Sequence, residues 1–419
     1  MLAYWATPPA HRRSGLIPLL LQNTPRRPDF TTKLTASRVQ CNSMEILILS
    51  ARLSVALWLG ITLLLAPPVH AADLSTAINE VRSVTGQVVP ATQSAWKTLA
   101  EADINQLMAI LSGMKDASPL AENWLRSACD AVVERHLQRG GKLPVEPLRA
   151  FVLDSTQSPR GRRSAYEWLV EAEPETPNEL LPELINDPSL ELRYDAVEHL
   201  LKQVTDESSD DQKAELLEQA LHASRQFKQI QGISEQLTKL NRQADLTHEF
   251  GCVTEWNTVG PFPLADGNGF STVYPPEESL DLTATYPGKE GELAWKEARA
   301  DGELGQLDFC KTLGKDATGV MYAVAKFNAA EPRSAHIRYE TNNGTKLWLN
   351  GKLVAENEVF HAGGDWDQYM VPIQLIEGEN TIMIKVCQTK RTEDWAMVWH
   401  FRLRVCDELG GAIHSEPNN

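Results

Sequence analysis

Between residues 107 and 202, apolar side chains recur at three- and four-residue intervals. That spacing predicts amphipathic helices, because positions i, i+3, i+4 and i+7 share one helix face. Three stretches read alike: LMAILSGMKDASPLAENWLRSACDAVVERHL (107–137), LRAFVLDSTQSPRGRRSAYEWLVE (148–171) and LLPELINDPSLELRYDAVEHLLK (180–202). Each is a short apolar helix, a polar turn, then a longer amphipathic helix carrying Ala at a matching point. Those alanines, Ala128, Ala165 and Ala196, stand 37 and 31 residues apart. Such a period predicts stacked helical hairpins, since a single hairpin cannot bury its apolar stripe alone. Small Ala at a crossing lets helix axes approach to about 8 Å. A further helix pair at 209–241 would close the array; a non-repetitive helical bundle is the plainer alternative. Trp124 and Trp168 read as core, and Cys129, in a stripe with Leu125, Val132 and Val133, reads as a buried free thiol.

From Phe250 onward the period shortens to two and Asn-Gly pairs appear at 268, 343 and 350. SAHIRYE (334–340) alternates Ala335, Ile337 and Tyr339. TIMIKVC (381–387) alternates Ile382, Ile384 and Val386. HFRLRVC (400–406) sets Phe401, Leu403 and Val405 against Arg402 and Arg404. Each predicts a strand with one core face and one solvent face, so both arginines are expected in water. In TKLWLNGKLV (345–354), Asn350-Gly351 predicts a two-residue hairpin turn. Leu349 would then face Lys352, Trp348 face Leu353 and Leu347 face Val354, with Trp348 packed on the sheet.

The first 71 residues stand apart. Leu53 to Ala66 is an uncharged, mostly apolar run, with Arg52 before it and Pro67-Pro68-Val69-His70-Ala71 after it. A cation, a short apolar stretch and small residues at −3 and −1 predict a secretory signal peptide cleaved after Ala71. The run is shorter than the roughly 20 residues of a spanning helix, although an uncleaved anchor is the alternative. Met44 is the better start for such a signal, which leaves 1–43 as an upstream extension. That extension is basic and acid-poor, so an organelle transit segment, or twin-arginine export through Arg12-Arg13, is a competing reading. The expected organisation is 1–43 upstream, 44–71 signal, 72–248 helical and 249–419 stranded, in the periplasm or outside the cell.

Charge narrows the partners. The formal net charge is −16. Removing residues 1–71 takes away seven basic and two acidic residues and leaves −21. Such a surface opposes nucleic acid, which requires clustered Lys and Arg. No membrane span is expected in the mature chain. Cys252, Cys310, Cys387 and Cys406 lie in the last 170 residues and admit two disulfides in an oxidising compartment. Cys252–Cys406 is the favoured pair if first and last strands are neighbours, and connectivity stays open.

Two resemblances follow from these residues. Asp187-Pro188-Ser189 with Arg193 and Ala196 resembles a HEAT repeat, where an Asp-Pro turn precedes a second helix carrying an Arg. The second unit keeps Arg162 and Ala165 but turns at Ser-Pro; the first has Leu125 in place of the Arg. By that resemblance the Arg would bridge carboxylates between repeats. In the second half, WNTVGPFPLADGNGFSTVYPPE (256–277), YPGKEGELAW (286–295), TNNGTKLWLNGKLV (341–354) and DQYMVPIQLIEGENTIMIKVCQ (367–388) occur in order. They resemble a galactose-binding-like jelly-roll domain of secreted bacterial proteins. The expected fold is multidomain: a HEAT-like α-solenoid followed by an antiparallel β-sandwich. Domains of this kind often bind sugars through loops at one end. HAGGDWDQY (361–369) and KRTEDWAMVW (390–399) hold both the aromatics and the polar groups for that, so Asp365, Trp366, Asp394 and Trp395 are the candidates, with His361 and Arg391 behind them. Trp366 and Trp395 could equally plug the ends of the sheets. The family often carries a structural Ca²⁺, which the acidic residues permit, with no ligand set indicated; no other cofactor is expected. Asn343-Gly344-Thr345 is formally a glycosylation sequon, more readily read as a turn.

No HExxH, G-x-S-x-G or phosphate-binding Gly-rich loop is present. Asp266, Asn268 and Glu277 match three EF-hand positions, but Phe270 and Ser271 occupy places that need an oxygen ligand and Gly. The expected role is a non-catalytic binding or scaffold protein, the helices holding an extracytoplasmic protein and the strands a glycan or a protein. A glycoside hydrolase and a purely structural envelope component are the alternatives.

Overall fold

The computed structural model describes residues 71–419 apart from 87–88, 207–208, 266, 289–290, 391–392 and 418–419. The leader at 1–71 thus lies outside the described residues except for Ala71, which opens the first helix. The chain is mixed α and β, with thirteen α-helical segments and antiparallel sheets among the described residues. Helices come first: α1 (Ala71–Arg82), α2 (Pro90–Ala100), α3 (Leu107–Ser112), α4 (Pro119–Gln138), α5 (Val145–Leu153), α6 (Pro159–Ala172), α7 (Thr176–Leu180), α8 (Leu190–Asp206), α9 (Asp210–Ala223), α10 (Phe227–Lys239) and α11 (Leu246–Glu249).

The Ser-Pro pairs are helix starts. Ser118 and Ser158 each accept a hydrogen bond from a backbone N–H of the first turn, and the following Pro occupies a position whose N–H would have no partner. Ser158 Oγ also donates to Glu122 Oε1 at 2.6 Å, tying α6 to α4. At the third turn Asp187 Oδ1 accepts from Ser189 N at 2.7 Å. The same carboxylate receives a bidentate clamp from Arg162, at 2.7 and 2.6 Å, with Arg162 wholly buried. Ala128, Ala165 and Ala196 are all buried in one apolar cluster with Leu125, Leu148, Leu169 and Trp168. Cys129 is buried and free in that cluster. A second cluster joins α8, α9 and α10 to Phe250, Leu304, Cys252 and Trp366, so the last helices share their apolar packing with the strand region. Among the described residues no helix is long and apolar enough to cross a membrane.

The strand region begins with β1 (Glu255–Phe262), followed by α12 (Pro275–Glu278), β2 (Thr285–Gly288), β3 (Gly291–Ala294), β4 (Lys296–Arg299), β5 (Leu307–Asp308) and α13 (Cys310–Leu313). Then come β6 (Gly319–Ala329), β7 (Arg333–Glu340), β8 (Gly344–Leu349), β9 (Lys352–Asn357), β10 (Tyr369–Leu375), β11 (Gly378–Gln388) and β12 (His400–Cys406). A six-stranded sheet runs β4-β1-β6-β11-β8-β9, a four-stranded sheet β10-β7-β12-β5, and β2-β3 forms a small hairpin. Ile337, Tyr339, Phe401, Leu403 and Val405 of the four-stranded sheet share a buried cluster with Leu347, Ile382, Ile384 and Val386 of the six-stranded one.

The Asn350-Gly351 turn forms as expected, with φ of +51° and +79°, the signs that a type I′ hairpin needs. Leu349 pairs with Lys352 and Trp348 with Leu353. The third expected pair is wrong: a register shift between Leu347 and Trp348 puts Leu347 opposite Ala355. Trp348 is buried with Val259, Phe262 and Met383 on the outer side of the six-stranded sheet.

The expected solvent faces are also wrong. Met383 and Cys387 of β11 are buried because Phe270, Tyr274 and Tyr286 pack on that side. Lys385 is fully buried there and satisfied by Phe270 O (3.0 Å), Thr272 O (2.7 Å) and Glu277 Oε1 (2.8 Å). This is the work of Glu277, the EF-hand look-alike. On β12, Arg404 is buried and Arg402 half-buried rather than exposed. The four cysteines expected to pair are free thiols in this structure. Cys406 Sγ turns to His336 O and Cys310 Sγ to Met397 O, while Cys387 lies in the outer apolar cluster. Burial pushes the Cys252 and Cys387 thiols up to about 12 and keeps them protonated, the form that neither attacks nor binds metal.

Candidate functional site

The loop 358–368 leaves β9, and the loop 389–399 leaves β11. Folding brings them together through His361, whose backbone has φ +57°. Its Nδ1 lies 3.1 Å from Ala396 O and its Nε2 3.0 Å from Thr389 Oγ1. A carbonyl only accepts, so Nδ1 donates to it, while Nε2 and the Thr389 hydroxyl share the second bond. His361 is therefore a brace between the loops.

Other side chains fix the second loop from beneath. Gln388 Nε2 donates to Ala396 O and Val398 O, at 3.2 and 3.1 Å. Asn343 Nδ2 donates to Gln388 Oε1 at 2.8 Å and to Val398 O at 3.2 Å. Asn343 is fully buried, which makes the sequon a structural amide closed to glycosylation in the folded chain. Trp399 is fully buried and donates to Val386 O. With its inner residues pinned, the loop holds Glu393, Asp394 and Trp395 outward. Trp395 is 68% exposed, the largest value among the exposed large hydrophobic residues that the structure describes. Asp394 opens a single 3₁₀ turn, Asp394–Ala396, of which Trp395 is the central residue. Arg391 lies outside the described residues.

The other loop ends differently. Asp365 is exposed and its carbonyl accepts from Gln368 N at 3.1 Å. Gly363 has φ of +120°, a backbone conformation that other residues rarely adopt. Trp366 turns inward. It stacks on Phe227 at 5.1 Å with planes 15° apart and packs against Phe250 at 4.4 Å. Arg402 and Arg404 lie 5.7 and 5.4 Å from its ring centre, within cation–π range. Trp366 Nε1 is buried with no acceptor. This residue joins helices to strands and offers no free face to a ligand.

Beside Trp366 is the residue that sequence reasoning missed. Asp367 accepts from Arg404 through both oxygens, at 2.7 and 2.6 Å, and from Arg338 at 3.0 Å. Glu340, almost fully buried, accepts from Arg402 at 2.7 Å and lies 3.3 Å from His400 Nε2. Burial alone would push the Glu340 carboxyl up. His400 and Arg402 outweigh it, so the group sits below the ordinary carboxylate value. The alternating charges H-I-R-Y-E on β7 and H-F-R-L-R on β12 were the available signal: ionic residues of both signs on facing strands. Among the described residues no group of three or more His, Cys, Asp or Glu is placed to hold a metal ion.

No family model matches the sequence, and no curated protein does either. Among solved structures the chain is similar to a family 35 carbohydrate-binding module from Clostridium thermocellum, at 16% identity over 22% of this chain and 75% of that one, with a TM-score of 0.17. It is similar to a beta-glucosidase from Kluyveromyces marxianus in complex with glucose, at 9% identity over 67% of this chain and 35% of that one, with a TM-score of 0.24. It is also similar to a Pseudomonas fluorescens alkylpurine DNA glycosylase bound to DNA with an abasic-site analogue, at 13% identity over 84% and 98% of the two chains, with a TM-score of 0.19. Scores of this size assign no activity to the chain.

Proposed function

We propose that this chain is an exported, non-catalytic binding or scaffold protein, released by cleavage near Ala71 into the periplasm or the extracellular space. In this reading the helices form a HEAT-like solenoid for an extracytoplasmic protein partner, and the two sheets form a jelly-roll sandwich for a glycan. The observation that carries the ligand reading is Trp395: an outward indole flanked by Glu393 and Asp394, on a loop immobilised by His361, Asn343 and Gln388. An indole held rigidly in water gives a sugar ring a stacking face at little entropic cost, and adjacent carboxylates accept from its hydroxyls. The buried alanines and the Arg162–Asp187 clamp support the solenoid reading; the shared apolar cluster of the two sheets supports the sandwich.

A glycan array with the mature chain tests this. Binding of a defined glycan class is expected, lost in Trp395→Ala and kept in Trp124→Ala. Silence on the array alongside a stable protein partner would replace the glycan reading with a structural envelope role, and turnover of a bound glycan would replace it with an enzyme.

A further inference from the structure

The C-terminal tail covers the place where two strands part. The β1–β6 ladder ends at Asn257–Val324, and Glu255 and Trp256 of β1 pair with Arg299 and Ala298 of β4. Where β1 leaves β6 there is a groove of about 210 Å³ between residues 251–255 and β6 at 326–327, and Ile413, His414 and Ser415 of the tail form its remaining wall. The tail is tied on both sides of His414. Ile413 N donates to Val405 O at 3.0 Å, and the Ile413 side chain is buried in the cluster shared by the two sheets. Glu416 N donates to Asn328 O at 2.9 Å, and Asn328 N to Ser415 Oγ at 2.9 Å. Between these ties His414 lies flat on His248 of α11, with ring centres 4.1 Å apart and planes 10° apart.

Two imidazoles stack readily while at most one carries a proton, whereas two imidazolium charges about 4 Å apart repel. The charged groups around the pair come from three elements. On α11, Glu249 favours a charge on His414, and Asp245 Oδ1 accepts from His248 N at 3.0 Å. From α9, His222 Nδ1 lies 3.0 Å from Glu249 Oε2, so that carboxylate is shared. On the strands, Glu255 and Lys326 line the groove with His414, and Lys326 pairs with Glu379 at 3.0 Å. Burial first, then His248, holds His414 below the ordinary His value and outweighs Glu249. His414 is thus harder to protonate with the tail closed than with it open. Closure is fully favoured above about pH 7 and declines below it.

We propose that residues 411–416 are a pH-sensitive strap, held across the split between β1 and β6 while at most one of His248 and His414 is protonated and loosened when both are. Loosening it removes one wall of the groove and uncovers β6 beyond Val324. Both histidines are exposed, so the effect has the size of a surface charge pair, about 2- to 5-fold in the opening equilibrium.

The test is amide hydrogen exchange of the full chain, followed on the segment 411–417 and corrected for intrinsic rates. Opening of the tail is expected to rise about 2- to 5-fold between about pH 7.5 and 5, with no matching rise in α4. His414→Phe keeps a ring for the stack and removes the titration, so its tail is expected to stay closed across that range. His248→Gln is expected to lose the rise as well, and His136→Gln, in α4, to keep it. A parental rise in His414→Phe, an equal rise in α4, or no rise in the parent overturns the proposal.

Discussion

Asp365-Trp366 and Asp394-Trp395 are the same dipeptide in two loops at one end of the strand region, and they have opposite fates. Trp366 is wedged between Phe227, Phe250 and two arginines, whereas Trp395 stands in solvent. The Asp-Trp pair is shared while its flanks differ, so the pair itself does not set the outcome; what packs on each loop does. The first packs on the last helices through Phe227 and Phe250; the second is held from beneath by His361, Asn343 and Gln388, and its Trp395 is exposed. An aromatic beside an acid is therefore a junction where another element docks and a display where none does.

The comparison breaks most sharply at Asp367. Asp367→Asn leaves Arg404 and Arg338 in the seam without their carboxylate, and about 3–5 kcal/mol of stability is expected to go. Urea unfolding measures it; a loss under about 1 kcal/mol means the arginines are solvated and the junction is open.

Next comes the tryptophan pair itself. Trp366→Ala removes an aromatic packed on two others, and a cost of about 3 kcal/mol is expected. Trp395→Ala is expected to stay within about 0.5 kcal/mol of the parent, as for a surface site. Equal costs for the two variants would erase the distinction drawn between them.

The smallest effect is a pH dependence. The folded Glu340 carboxyl titrates below its unfolded value, so its contribution is fully present above roughly pH 4–5 and is lost as pH falls through the folded value. Glu340→Gln is expected to flatten this acid limb relative to Trp395→Ala, whose limb stays parental. A Glu340→Gln curve that falls as steeply as the parent between about pH 5 and 3 removes His400 and Arg402 as the cause.

Much of the architecture was readable along the chain. Helical periodicity located the region up to residue 248, and the turns it placed before the longer helices hold Ser118, Ser158 and Ser189, whose hydroxyls accept from nearby backbone N–H groups. Asn350-Gly351 specified its turn because few residue pairs accept two positive φ angles. Period-two alternation named the inner faces of β7, β11 and β12. These are short-range properties: they depend on residues a turn or two apart. The outer faces, the free thiols, the shift at Leu347 and the burial of Arg404 were not readable. Each depends on a partner far along the chain, as Arg404 does on Phe250 O and Asp367, or Lys385 on Phe270 and Glu277. Alternation says which side of a strand is oily. Whether the other side meets water is settled only when distant segments compete to cover it, and that competition decided which of two like tryptophans was left exposed.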